Sequence, residues 1–357
     1  MRNSIDKTKH SLFHEGEVAL QQSVGMAERM GQIGAKVVRD FMPEQHREFY
    51  ARLPFIVVAT VDDAGDVWPT MLAGRPGFIS SHSPTSLTIK AKPHHTDPAA
   101  IGTRAGAAIG MLGIELHTRR RNRMNGTIEQ QSENSLEIAV GHAFGNCPQY
   151  IQLRDFEFVD EREQPARMRA EESSELTEEA RAIISVADTF FVASYADRDQ
   201  ERQVDASHRG GQPGFVRVDD DGLLTIPDFS GNFHFNTLGN FMVNPRAGLL
   251  FVDFETGDIL QITGTAQVIT DSPEINAFEG AERIWTFRPR RVVLRKKASA
   301  LRWKMRENAF SAKSLRTGSW EDVAARFVSG RSAQPDNVKQ ARQDSDLTFE
   351  KAKEIEA

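Results

Sequence analysis

The residues of this chain best suited to chemistry are arginines, glycines and asparagines grouped around short strands. In "SGNFHFNTLGNFMVNPR" (residues 230–246), Ser230, Gly231 and Asn232 can bend the chain after a strand. The bend frees backbone N–H groups to converge, and a helix from Asn236 to Val243 would add its own N-terminal donors. Converging amides at a helix start favour an anion, commonly a phosphate. An ordinary strand–turn–helix corner would read the same way. In "AGRPGFI" and "RGGQPGFVRV", glycines let a flat ligand approach the backbone, and Arg75, Arg209 and Arg217 stand near enough to fork onto phosphate oxygens. A bulge with solvated arginines is the competing reading. The run "HTRRRNRMNG" brings Arg119, Arg120, Arg121 and Arg123 to a hairpin turn. It would clamp a phosphate or an acidic substrate, or form a charged strand edge that resists aggregation.

Other chemistries find little support. The histidines include His94 and His95, whose side chains would oppose each other on an extended chain, and none follows the HxH or HExxH spacing of a metal site. His208 and His234 either line a pocket or pack. GxSxG, P-loop and GxGxxG patterns are missing from any fitting strand-to-helix context, so nucleophilic hydrolysis is disfavoured and no catalytic residue is assigned. Cys147 is the single cysteine. It allows no internal disulfide or thiolate cluster, so redox chemistry would come from a cofactor.

A formal charge of −6 and a pI near 6.0 lend no support to a nucleic-acid or membrane partner. The N-terminus lacks the apolar core of a secretory signal, and no run is long enough to span a bilayer. A cytoplasmic location is the expectation.

The elements that must position these groups recur. "FIVVATVDDAGDVWPTMLAGRPGFI", "SLTIKAK", "AGAAIGMLGIE" and "NRMNGTIEQ" are followed, in the same order, by "FFVASYADRDQERQVDASHRGGQPGFV", "LLTIPDF", "RAGLLFVDFE" and "LQITGTAQVI". Short β-branched and aromatic runs between Gly, Asp and Pro turns predict antiparallel barrels, with "DDAG" and "DDDG" as hairpin turns. The fold class is mainly β with flanking helices. We divide the chain into an N-terminal helical segment (1–50), a first β unit (51–165), a linker helix (166–182) with a capped start at Thr177, a second β unit (183–297) and a C-terminal helical or mobile tail (298–357). Val18, Met26, Met30, Ile33, Val37 and Phe41 form the apolar face of the N-terminal segment, which Pro43 interrupts.

The second unit, "GFVRVDDDGLLTIPDFSGNFHFNTLGNFMVNPRAGLLF", resembles the pyridoxamine 5′-phosphate oxidase-like family of FMN-binding split barrels. The first unit, and the N-terminal "FHEGEVALQQSVG", are similar to two-barrel members of that family. The resemblance covers roughly residues 50–296. It implies two tandem split β-barrels with FMN in the groove between them, the flavin rings against strand backbone and the phosphate near the strand-to-helix corner. The family's Arg-x-Val-Leu-Leu-Lys strand falls on Gln212, Pro213, Gly214, Phe215, Val216 and Arg217, and in the first unit on Arg75, Pro76, Gly77, Phe78, Ile79 and Ser80. Its Ser-Arg-Lys phosphate motif falls on Phe235, Asn236 and Thr237, so both cations are missing. The phosphate would then rely on Asn236, Thr237, Arg217 and backbone amides, with Ser230 and Asn232 shaping the bend, or borrow Arg75, Lys90, Lys92 or the 119–123 hairpin.

The implied activity is FMN-dependent oxidoreduction of a small-molecule substrate, with electrons from NAD(P)H or a reductase. The alternative is a non-catalytic flavin- or haem-binding protein. Pyridoxamine phosphate oxidation itself is disfavoured, because the repeated architecture departs from the single-barrel enzyme. Whether the chain also forms a homodimer stays open.

Overall fold

The computed structural model describes residues 12–160, 169–198 and 201–329. The chain is mostly β, 42% strand and 22% helix. The first sheet uses β1 (Phe55–Val61), β2 (Val67–Ala73), β3 (Ile79–Ser83), β4 (Ser86–Ile89), β5 (Ala108–Glu115), β6 (Arg120–Gln131) and β7 (Leu136–Asn146), in the order β2-β1-β5-β6-β7-β4-β3. Two short strands follow, β8 (Arg154–Phe158) and β9 (Ala170–Ser173). The second sheet holds β10 (Thr189–Arg198), β11 (Glu201–Gly210), β12 (Arg217–Val218), β13 (Leu224–Phe229), β14 (Arg246–Val252), β15 (Ile259–Ile269) and β16 (Ala281–Arg295). Its order, β11-β10-β14-β15-β16-β13-β12, follows the same path as the first, with β9 added beside β16. All pairings are antiparallel, and the 62–66 and 219–223 hairpins each turn on a glycine with positive φ, Gly65 at 79° and Gly222 at 81°.

Side-chain alternation sorts the apolar residues into three cores. On β1, Ile56 and Val58 face the first sheet's own interior, with Met111, Met124 and Ile138. Phe55, Val57 and Ala59 face the other sheet. On β10, Phe190 and Val192 point into the second sheet's core around Trp285 and Phe251, whereas Phe191, Ala193 and Tyr195 meet the first sheet. Strands buried on both faces need apolar residues at every position, which is why these stretches read as continuous hydrophobic runs.

The two sheets touch backbone to backbone at two matching places. A Cβ on Gly110 of β5 would fall well inside 3 Å of the Val204 carbonyl on β11, and one on Gly248 of β14 equally close to the Val67 carbonyl on β2. Only glycine permits either approach.

The N-terminal segment is three helices rather than one interrupted at Pro43: α1 (Glu15–Ser23), α2 (Ala27–Val37) and α3 (Glu44–Arg52). Gly25, at φ 72°, ends the first, and extended backbone at Val38 ends the second. Phe41 falls in that connection and is 42% exposed, off the apolar face expected of it. The helix α4 (Glu178–Val186) is capped by Thr177, whose side chain accepts from Ala180 N. α5 (Asn236–Val243) joins β13 to β14, and α1 crosses it where Gly16 and Gly239 leave no room for a side chain. Past residue 297 the chain is not only helical. β17 (Leu301–Met305) pairs with β8 and sends Leu301 and Trp303 into the core between the sheets. The short α6 (Pro273–Ala277) and α7 (Trp320–Val328) then pack together through Ala277, Phe278 and Val323. The remainder of the tail expected at 298–357, from residue 330 on, lies outside the described residues.

Replacing Gly110 with Ala should destabilise the protein by about 1–3 kcal/mol, because the new methyl group meets a carbonyl that cannot retreat. Gly31→Ala, inside α2 with nothing within 4 Å, should be neutral or stabilise by about 0.5–1 kcal/mol. Denaturant unfolding of the two variants checks the contrast, and equal effects would show that the close approach is not a constraint.

Candidate anion-binding cleft between the sheets

A narrow cleft opens where the second sheet's strand-to-helix corner faces the first sheet. Its empty space, mouth included, is about 880 Å³, of which about 100 Å³ admits the centre of a water molecule. β6 contributes Arg121 and Arg123, β11 contributes residues 207–210, and β13 ends in the wall at Asp228 and Phe229. The loop 230–235 and the first turn of α5 close the rim. Phe233 and Phe235 both have positive φ, 59° and 58°, a conformation that bulky side chains rarely adopt. The bend is braced by Asn232, whose Oδ1 accepts from His234 N and whose amide donates to Asn146 Oδ1 across the cleft, at 3.2 and 2.8 Å.

Positive charge is concentrated here and kept dry. Arg283 donates to Asp228 at 3.0 Å and covers the Phe235 ring, while Arg209 lies 3.7 Å from the same carboxylate. Arg123 is 3.6 Å from Asp205. Arg121 has no carboxylate partner among the described residues. Its Nε donates to the Cys147 carbonyl at 2.6 Å and one Nη approaches His208 Nδ1 at 3.3 Å. Burial lowers the pKa of Arg121 to about 10, and Arg123 and Arg209 push it in the same direction. Three buried N–H groups on the cleft walls have no partner among the described residues: Arg123 Nε, Arg209 Nε and His208 Nε2.

The protonation of His208 follows from its neighbour. A guanidinium only donates, so Nδ1 facing Arg121 must accept and Nε2 must carry the hydrogen. Burial, then Arg121, Arg209 and Arg154, hold this imidazole well below its usual pKa. It is a neutral donor with its N–H unused.

A buried polar network ties this wall to the N-terminus. Asn236 Oδ1 accepts from Arg123 at 2.7 Å, and its amide donates to Glu17 Oε1 at 2.6 Å. Asn240 donates to Ser194 and Asp205, and its Oδ1 lies 2.8 Å from His14 Nε2. His14 and Glu17 also form a capping box that starts α1. Glu17 is 4% exposed. Burial and then the Asp205 charge raise its pKa to about 8, against the hydrogen bonds from His14 N and Asn236 and the charge of Arg123.

Of the residues named from the sequence, the fold brings Arg121, Arg123, His208, Arg209, Phe215, Ser230, Gly231, Asn232, Asn236 and Thr237 to the cleft. Thr237 donates to Ser207 at 2.8 Å. The others lie elsewhere. Arg75 is exposed and sits 5.2 Å from the Phe158 ring on β8. Arg217 is held by Glu274 at 2.7 Å and Asp219 at 3.1 Å, over the Trp320 ring, so two carboxylates already neutralise it. Gly77 and Gly214 are the positive-φ turns before Phe78 and Phe215, and Phe78 is buried in the first core. Gln212 donates to the Thr317 carbonyl. Lys90 and Lys92 line a second, wide opening with Arg104, His94 and His95. There the two histidine rings lie 4.0 Å apart in a loop rather than on opposite faces. Arg283 escaped the sequence reading. Its signal is the cross-strand register that sets it opposite Asp228.

Among the described residues no helix is long and apolar enough to cross a membrane, and no group of three His, Cys, Asp or Glu could hold a metal ion.

Residues 176–303 match the family model described as pyridoxamine 5′-phosphate oxidase. Similar solved structures include HupZ from Group A Streptococcus, 16% identical over 32% of this chain and 90% of that one, at a TM-score of 0.25. A putative pyridoxamine 5′-phosphate oxidase from Lactobacillus delbrueckii is 15% identical over 30% and 95% of the two chains, at 0.24. A putative 5-nitroimidazole antibiotic resistance protein from Bacteroides thetaiotaomicron is 11% identical over 40% and 93%, at 0.25. No curated protein matches.

Glu17 should leave a pH signature. A carboxyl whose folded pKa is raised binds a proton that the unfolded chain has released, so stability falls as pH rises from the unfolded value of 4.5 to about 8. The loss is between about 1 and 2 kcal/mol per pH unit in that window. Glu17→Gln should flatten this slope relative to the parent in unfolding measured from pH 5 to 8. Parallel curves for the two proteins would show that Glu17 titrates normally.

Proposed function

We propose, from the membership of residues 176–303 in the pyridoxamine 5′-phosphate oxidase-like family, that the chain is an FMN-dependent oxidoreductase. On this reading the two sheets are tandem split barrels from an internal repeat and the cofactor lies in the cleft between them. The observation that carries it is the set of buried donors on Arg123, Arg209 and His208 that have no partner among the described residues, beside Arg121, which has no carboxylate partner among them either. A buried donor without a partner costs about 1–3 kcal/mol, so such a wall calls for an acceptor from outside the chain.

The donor set fits the phosphate end of FMN. Arg121, Arg209 and His208 would hold it, and Arg123 from the first sheet supplies beside Asn236 the charge that positions 235–237 lack. The narrow slot with Tyr150, Phe229 and Phe235 on its walls suits a flat ring system. When bound, FMN supplies the hydride or electron transfer. The chain binds and orients it, excludes water, and keeps cations near its charged parts. NAD(P)H or a reductase is the proposed electron donor, and a small molecule takes the electrons from the reduced cofactor and is itself reduced. A haem-binding role has less support. His208 is the buried imidazole at the cleft, and its Nε2 lone pair is occupied by hydrogen as long as Arg121 faces Nδ1.

Purified protein should carry, or take up, FMN with its absorbance bands, and should consume NAD(P)H when an acceptor is present. Arg121→Gln should weaken FMN binding about 10- to 100-fold, the equivalent of one charge-assisted hydrogen bond of roughly 1.5–3 kcal/mol. A protein that stays colourless in excess FMN rejects the proposal. Uptake without NAD(P)H consumption selects the non-catalytic alternative.

A further inference from the structure

The cleft has a counterpart on the other side of the inter-sheet contact. Gly110 pairs with Ala59 and Asn125 as Gly248 pairs with Ala193 and Thr263. Carrying that register outward sets Thr70 at the position of Ser207, Gln261 at that of Arg123, and Arg295 at that of Asn146. Ser207, Arg123 and Asn146 line the cleft. Their three counterparts converge instead on a side chain of the protein. Asp97 Oδ1 accepts from Gln261 Nε2 and Ala99 N, both at 2.9 Å. Its Oδ2 accepts from Arg295 at 2.6 Å and from the Thr70 hydroxyl at 2.5 Å. Arg295 also donates to Gln261 Oε1. None of these four residues is more than 3% exposed, and none has an unpartnered buried side-chain atom among the described residues.

Two related positions thus differ in one respect. One has an arginine, an amide and a hydroxyl closed upon a carboxylate that the chain provides; at the other, Arg123 donates to Asn236, and Nε of Arg123, Nε of Arg209 and Nε2 of His208 on the same cleft walls have no partner among the described residues. We propose that the chain binds one anionic ligand, in the cleft at Arg121, Arg209 and His208, and that Asp97 is a built-in anion sealing the counterpart of the neighbouring wall formed by Ser207, Arg123 and Asn146. A carboxylate already bonded to four donors leaves an incoming phosphate neither space nor hydrogen bonds. The inference rests on the proposed function only for the choice of FMN as one probe.

Calorimetric titration of the full chain with FMN and, separately, with inorganic pyrophosphate measures the number of sites. One equivalent of FMN per chain is expected. One equivalent of pyrophosphate with no FMN would support the single anion site and overturn the cofactor assignment. Two equivalents of either probe would overturn the sealing role of Asp97 and leave the cofactor assignment standing, and no binding of either probe would overturn both. Asp97→Gly tests the seal directly. It should melt lower than the parent, and added acetate, which replaces the missing carboxylate, should restore most of the loss without affecting the parent equally. A folded variant no more sensitive to acetate than the parent would overturn the proposal. Should Asp97→Gly not fold, the stoichiometry of the unaltered chain decides.

Discussion

The closest approach of the two sheets sets the geometry of everything around it. At Gly110 against Val204 and Gly248 against Val67 the strands meet without side chains between them. Sheets packed through side chains stand about 10 Å apart, so local contact at two points forces the flanking strands to splay. The large residues of the shared core, Phe55, Phe191, Tyr195 and Trp303 among them, fill one part of the resulting space. Polar side chains fill the rest, and the cleft is what they leave open.

That polar remainder is organised by charge. Four arginines face the cleft, and Asp228 serves two of them. Holding like charges together out of water is unfavourable unless something opposes them. Here the opposition is incomplete, and the deficit falls at Arg121 and His208. Their immediate neighbours are the carbonyl of Cys147, the rim of Phe191 and other arginines. The network running through Asn236, Asn240 and Glu17 stiffens the opposite wall, so the donors are held in place before any ligand arrives.

Much of the fold was legible because it follows from local rules. Glycine at the fourth position of "DDAG" and "DDDG" marks a turn needing positive φ, and the β-branched run "FIVVATV" reads as a strand and is one, buried along its whole length. Thr177 was readable as a cap. The corner at 230–237 was readable as polar backbone beside a buried strand, and it does border the cleft. What stayed hidden depends on partners distant in sequence. Arg217 looked available until Glu274 and Trp320 closed on it, and Arg283 gains its meaning only from lying opposite Asp228. β17 escaped because a five-residue strand is defined by its neighbour β8, more than 140 positions earlier. The subdivision of the N-terminal segment turned on Gly25, whose backbone angle no periodicity reveals.

The contact between His14 and Asn240 spans 226 positions of sequence. During synthesis the first helix therefore leaves the ribosome long before α5, the element it crosses, has been made. Contacts of such long range form late and slowly. The strands of the first sheet can pair well before then, but the wall that Glu17 and Asn236 build together is among the last parts of the molecule to take shape. A nascent chain halted before residue 236 would lack α5 and with it one wall of the cleft.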